Sequence, residues 1–250
     1  MRQLTACFTL ILVIVTGCAD TESENVKTTG VRAEIEVVAN GSGNTDIDVQ
    51  LEVGSGGELA TQLELSNGDS LIAYANGEER TLTKVNKLLG IHYVTTFNFD
   101  SPNIEFRVEL LRNNDQSAPN STVLLPDPFA ITDPVGNEVF ARNADILTTW
   151  DPQGFSDHSM KVVYELYCSN GNSISTSRTE RNVSDIGQYS INAVEVLGSL
   201  ANQPSSQSGC DLDIIVSRTR YGNLDPNYGE GGYIKASQKR ARTVRIAPVQ

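Results

Sequence analysis

Apolar and polar residues alternate one by one in several stretches of this 250-residue chain. Val31, Ala33, Ile35 and Val37 are separated by Arg32, Glu34 and Glu36, and Ile47, Val49, Leu51 and Val53 by Asp48, Gln50 and Glu52. Ile104, Phe106, Val108 and Leu110 are separated by Glu105, Arg107 and Glu109. A strand turns successive side chains to opposite faces, so a period of two buries one face and wets the other. A helix cannot use this pattern, because its buried stripe needs apolar residues every three or four positions. Asn-Gly pairs at 40–41, 67–68, 76–77 and 170–171 supply the positive φ that tight hairpin turns require. Helical spacing is limited to 191–200, where Ile191, Val194 and Leu197 recur. The expected class is all-β, built from antiparallel β-sandwich modules, two in tandem.

The polar stretch from Asn113 to Asn120 has no apolar residue except Ala118 and reads as a break. It divides the chain into a first sandwich over 30–112, a linker over 113–122 and a second sandwich over 123–250. A single continuous sandwich is the competing reading. The second unit opens with Pro126, Pro128 and Pro134 and carries Asp145-Ile-Leu-Thr-Thr-Trp150-Asp-Pro152. A strand with a core tryptophan that ends in a proline turn resembles a fibronectin type III or immunoglobulin-like domain. The resemblance covers about 40 residues and implies that the strand 162–168 lies across the core from Trp150. It departs from the immunoglobulin order, because Trp150 precedes both cysteines of that unit.

The first 17 residues carry Arg2 and then an uncharged run from Leu4 to Val15. A run of about a dozen residues is too short for a bilayer, which needs roughly 20, and suits the core of a signal peptide. Val15-Thr16-Gly17-Cys18 resembles the lipobox of bacterial lipoproteins. That resemblance implies removal of 1–17 and lipidation of Cys18. It implies a membrane-attached envelope protein, and Ala19 after the cysteine implies the outer membrane. Several acyl chains make such an anchor stable, whereas one chain is marginal. The polar residues 18–29 are expected to form a flexible tether reaching about 35 to 40 Å.

With Cys7 and Cys18 assigned to the signal and the anchor, Cys168 and Cys210 remain. An even pair in an oxidising compartment reads as a disulfide. Cys168 falls in phase with Val162, Tyr164 and Leu166, and Cys210 with Leu212, Ile214 and Val216.

The net charge of −12 argues against nucleic acid or anionic lipid as the main partner. Basic residues gather late, at Lys235, Lys239, Arg240, Arg242 and Arg245. Such a strand either packs against acidic surface of the same molecule or binds an anionic ligand such as a polyanionic glycan. No G-x-S-x-G, H-E-x-x-H, C-x-x-C or phosphate-loop pattern is present. Only His92 and His158 follow the signal segment. His92 alternates with Ile91 and Tyr93 and is expected on the outer face. His158 sits in a polar turn beside Ser156 and Asp157, and neighbours in a turn do not make a triad.

No cofactor is expected, with Ca2+ as the one exception. If the first two strands pair, Glu34 meets Glu52 or Glu36 meets Asp48, and like charges must then be screened by water or a cation. Asn223, Asp225, Asn227 and Glu230 place oxygens at near-alternate positions, as Ca2+ loops do. Tyr221, Tyr228 and Tyr233, with Asp225, form a candidate ligand surface, since clustered tyrosines suit a protein or glycan partner. The favoured function is a membrane-anchored binding or scaffolding lipoprotein. The rivals are a carboxylate-dependent enzyme or accessory acting on polysaccharide, and a subunit of a transport, secretion or adhesion assembly.

Overall fold

A computed structural model describes residues 20–54, 60–88, 90–154 and 158–249, with the side chain of His158 excluded. Cys18 and the signal segment lie outside the described residues, as do Ser156 and Asp157. The first strands are β1 (Thr21–Glu22), β2 (Val31–Ala39), β3 (Thr45–Val53), β4 (Thr61–Glu64), β5 (Ser70–Ala75) and β6 (Glu78–Thr81). They are followed by β7 (Thr83–Lys87), β8 (Gly90–Phe97), β9 (Glu105–Leu111), β10 (Ala118–Leu124), β11 (Ile131–Asp133) and β12 (Val139–Phe140). The rest are β13 (Asp145–Trp150), β14 (His158–Ser169), β15 (Ile174–Val183), β16 (Gln188–Asn192), the helix α1 (Ala193–Leu197), β17 (Cys210–Tyr221) and β18 (Tyr233–Ile246). The helical spacing seen over 191–200 becomes the single turn of α1 and a 3-10 segment, Gly198–Asn202.

The chain is an all-β sandwich structure. One large sheet of 11 strands has the main order β1-β4-β3-β2-β18-β17-β14-β15. Two small sheets cover its inner face. β10-β9-β5-β6 lies over the first core and β11-β13-β16 over the second. Strand β18 serves both. Ile234 and Ala236 belong to the first core, and Val244 and Ile246 to the second. The first part of β18 runs parallel to β2, with Ile234 opposite Ile35, while its residues 235–246 run antiparallel to β17.

The alternations behave as expected. In β2 the residues Val31, Ala33, Ile35 and Val37 are fully buried. Asn76-Gly77 closes β5 to β6 as a two-residue hairpin, with φ of 49° and 78°, the left-handed pair that a type I′ turn demands. Asn67-Gly68 does not close a hairpin. It carries the chain from β4 in the large sheet to β5 in the small one.

The structure corrects two segments. Residues 20–29 are not a flexible tether. Ser23 and Thr28 are fully buried, and the Arg112 guanidinium donates to the carbonyls of Ser23 (2.6 Å) and Val26 (2.9 Å). Asp69 accepts from Ser23 Oγ (2.7 Å) and pairs with Arg112 (2.7 Å). Nor is 113–122 a linker: Ala118–Leu124 is β10, paired with β9, and Asp115 accepts from the Thr28 amide at 2.6 Å. Low apolar content misled at both places, because polar side chains there satisfy buried backbone groups instead of facing water.

The change from one core to the next happens within β17 and β18. Their inward positions switch from apolar residues to Arg218, Gln238, Arg240 and Arg242. Arg218 and Gln238 are fully buried. Arg218 donates to the carbonyls of Asp127 (3.0 Å) and Asp151 (2.7 Å), pairs with Asp185 (3.1 Å) and lies over the Phe129 ring. Burial pulls its guanidinium below the ordinary arginine value, and Asp185 pushes it back up. Gln238 donates to the carbonyls of Asp100 and Pro126, and Arg242 to that of Ile131. This seam satisfies the backbone of the segment 126–131 as it passes between the two covering sheets.

Trp150 is 3% exposed, and Thr148 on the same strand meets Tyr164 across the second core (Oγ1 to OH 3.3 Å). The placement of 162–168 opposite Trp150 therefore holds. Cys168 and Cys210 stand directly opposite in register and form a disulfide across a 42-residue separation. Closing such a loop is worth about 3 to 4 kcal/mol. Cys168→Ala combined with Cys210→Ala is expected to lower the urea midpoint accordingly, and a loss below about 1 kcal/mol would contradict this account.

Candidate functional site: the outer face of the large sheet

The outer face of the large sheet is left uncovered by the two small sheets. Its residues come from the polar half of each alternation. At the β2–β3 end, Glu36 stands directly opposite Asp48, one of the like-charge pairings anticipated above. The strands are neighbours, and side-chain cations do the screening. Lys235 pairs with Glu36 (2.7 Å), Lys87 with Asp48, and Arg32 bridges Glu34 and Glu52. His92 lies on the outer face, as its alternation predicts, with Nδ1 donating to Asp48 (2.6 Å) and Nε2 accepting from Gln50 (3.0 Å). The Tyr233 hydroxyl donates between Glu34 and Glu36, at 3.2 Å from each. Burial first, then these two carboxylates, push its ionisation upward, so it remains a donor.

Toward β14 the face becomes concave. A groove of about 320 Å3 is lined by Glu36, Lys235, Ser237, Lys239, Lys161 and Arg178, with Ser217, Thr219, Val163 and Ile215 also on its wall. Ser217, Ser237 and Val163 point outward yet are only 9%, 7% and 4% exposed, because the long side chains around them rise above the floor. Lys161, Ser217 and Lys239 form one cross-strand row. Lys161 pairs with Glu180 at 3.0 Å. Among the described residues, neither Lys239 Nζ nor Ser217 Oγ has a partner. At the far end Glu165 pairs with Arg178 (2.6 Å) and accepts from the Tyr167 hydroxyl (3.2 Å).

The structure divides the tyrosine cluster. Tyr221 is 62% exposed and meets Tyr233 edge to face at 6.4 Å, both beside the groove. Tyr228 and Asp225 are not ligand groups. Tyr228 is buried in the first core. Asp225 is 3% exposed, and its two oxygens accept from the backbone amides of Asn120 (2.7 Å) and Asn227 (2.9 Å). The Ca2+ reading of Asn223, Asp225, Asn227 and Glu230 is corrected on the same ground: the key carboxylate is spent on amides. Asn227 donates to the Ser117 carbonyl, and Asn223 exchanges backbone bonds with Thr122. Gly222 permits that approach, since a Cβ there would lie 2.0 Å from the Thr122 oxygen. Among the described residues no group of three or more His, Cys, Asp or Glu converges on a metal position.

The late basic residues are also divided. Arg240 and Arg242 point inward to the seam and Arg245 pairs with Asp211 (3.0 Å), so intramolecular use accounts for them. Only Lys235 and Lys239 reach the groove. Sequence reasoning missed Lys161, Ser217 and Arg178, because only the register of β15, β14, β17 and β18 brings them together. A larger cleft of about 530 Å3 lies between α1 and the segment 247–249, but its Arg142 is committed to the carbonyls of Ala201 and Ser206.

No family model matches the chain, and no curated protein matches it. Solved structures with a similar arrangement include the fibronectin(III)-like modules of Clostridium thermocellum CbhA, at 11% identity and a TM-score of 0.25, covering 87% of this chain and 94% of that one. Others are three immunoglobulin domains of titin (10% identity, TM-score 0.24, 88% and 64% covered) and Bacteroides ovatus SGBP-B in complex with a mixed-linkage heptasaccharide (10%, 0.21, 99% and 69%). Likenesses this distant carry nothing about ligand or activity.

Proposed function

We infer that this chain is a lipid-anchored envelope protein that holds a ligand in the groove on the outer face of its large sheet. The groove carries the inference: it is concave, crosses β2, β18, β17 and β14, and offers a lysine and a neighbouring hydroxyl that have no partner among the described residues. The anchor rests on Val15 to Cys18. Cys18→Ser is expected to move the protein from the membrane fraction to the soluble fraction, and continued membrane binding would contradict the anchor.

The enzymatic rival needs two cooperating carboxylates within about 10 Å, one of them in apolar surroundings. The nearest acids to Glu36 are Glu34, across the Tyr233 hydroxyl, and Asp48, directly opposite. Both are polar-faced and held by cations, Arg32 and Lys87. The two acids that line the groove stand far apart. Glu36 stands in the row of Lys235 and Glu165 in the row of Thr243, about 25 Å of strand rise apart. Each faces a cation.

Full-length protein in detergent is expected to retain material from an envelope fraction. Lys239→Glu should reduce that retention at least tenfold. Val135→Glu, on an exposed residue of the loop between β11 and β12, should leave it unchanged. Equal retention by wild type and Lys239→Glu would remove the groove from the function.

A further inference from the structure

We propose that the groove takes an acidic oligosaccharide, with one carboxylate or sulfate group seated between Lys239 and Lys161 and a sugar ring against Tyr221. This rests on the groove being the binding site and adds the class of ligand.

The anion position follows from the row Lys161–Ser217–Lys239. The two lysines flank Ser217 on adjacent strands, with their Cα atoms about 10 Å apart at ordinary strand spacing. Side chains of that length can both reach over the serine, Lys161 by swinging back from Glu180 on β15, where its ammonium rests. Among the described residues Lys239 Nζ has no partner, and Ser217, its register neighbour, has a hydroxyl that can donate a hydrogen bond. Lys161 shares its charge with Glu180 at a half-exposed position, where an ion pair holds little free energy and exchanges partners readily. An anion here gains two charge-assisted hydrogen bonds and one neutral one.

The sugar character follows from the remaining wall. Ser237 and Thr219 present hydroxyls joined at 2.8 Å, able to give and accept hydrogen bonds as sugar hydroxyls do. Tyr221 lies opposite Lys235, four residues along β18 from Lys239, or about 13 Å, so the ligand spans several units. Its exposed ring offers an apolar plane with a polar tip. A peptide is disfavoured on two grounds. β2, β17 and β14 are paired on both sides, and β18 lacks a second partner strand only between Gln238 and Thr243, so strand addition has at most that short stretch to use. The apolar surface in the groove is limited to Val38, Val163 and Ile215, without the deep pocket that a hot-spot side chain fills.

The test is calorimetric titration of full-length protein in detergent with oligogalacturonate, alginate oligomers and chondroitin sulfate oligomers, each beside its carboxyl-reduced or desulfated form. At least one acidic form should bind at least tenfold more tightly than its neutral counterpart, and the difference should shrink as salt rises. Lys239→Ala and Tyr221→Ala should each weaken that binding at least tenfold, and Lys239→Arg should restore most of it. Arg245→Ala, outside the groove, should leave it unchanged. Equal binding of acidic and neutral forms, or insensitivity to Lys239→Ala, overturns the proposal. So does failure of all three acidic series up to millimolar concentration. If neutral glycans bind and Lys239→Glu still abolishes envelope retention, the groove stands and only the ligand class falls.

Discussion

Arg218→Ala is expected to destabilise the protein by about 3 to 5 kcal/mol, the cost of opening a buried ion pair from one side. Arg218 is fully buried. Its loss leaves Asp185 without its cation and the carbonyls of Asp127 and Asp151 without a donor. Asp185 would keep the Trp150 indole N–H (2.9 Å) and the Gln153 amide (3.1 Å), which places the cost inside that range and not above it. Arg218→Lys should rescue little, because one ammonium cannot reproduce two divergent donors at fixed angles. Urea denaturation followed by near-ultraviolet circular dichroism reads the result. A loss below about 1 kcal/mol would mean that the seam is filled but not held by this residue.

Arg112→Ala is expected to cost a similar amount, about 3 to 5 kcal/mol, with a local signature that Arg218→Ala lacks. Arg112 and Asp69 are 2% and 3% exposed at the side chain, and three further acceptors of Arg112 lie in the segment 23–28. Without Arg112 that segment loses its attachment, and trypsin should cut after the exposed Lys27 before the rest of the chain unfolds. Unchanged resistance at Lys27 would contradict the latch. Asp115 adds a pH dependence. The amides of Thr28 and Gln116 hold its carboxyl below the usual carboxylate value. Its contribution is therefore full above the ordinary carboxylate range and is lost as pH falls through the lowered value. Acid should loosen the same segment.

Several elements were legible in the residues. The alternation of β2, β3 and β9 marked their buried faces, and Asn76-Gly77 marked its hairpin. The phase of Cys168 with Leu166 and of Cys210 with Leu212 anticipated the cross-strand disulfide. The seam left a trace as well. In β18 the even positions are apolar at 234 and 236, polar at 238, 240 and 242, and apolar again at 244 and 246. A polar break in an otherwise apolar face is the mark of a strand that leaves one core and enters another. The groove left no such mark. Ser217 and Lys161 look like any outward residues until the strands are placed side by side.

What the residues settled by themselves is the class, the face taken by the side chains of the alternating strands, the Asn76-Gly77 turn and the cysteine pair. These depend on the two-residue period of an extended chain and on local backbone sterics. What only the tertiary structure decided is which strands are neighbours. The parallel pairing of β2 with β18 joins segments roughly 200 positions apart. That pairing makes one sheet serve two cores, turns the polar stretches 20–29 and 113–122 into buried hydrogen-bonded structure, and assembles the groove. Alternation states which face is buried but not against what, because many partners offer the same apolar face. The choice among them is made by packing and polar satisfaction over the whole molecule.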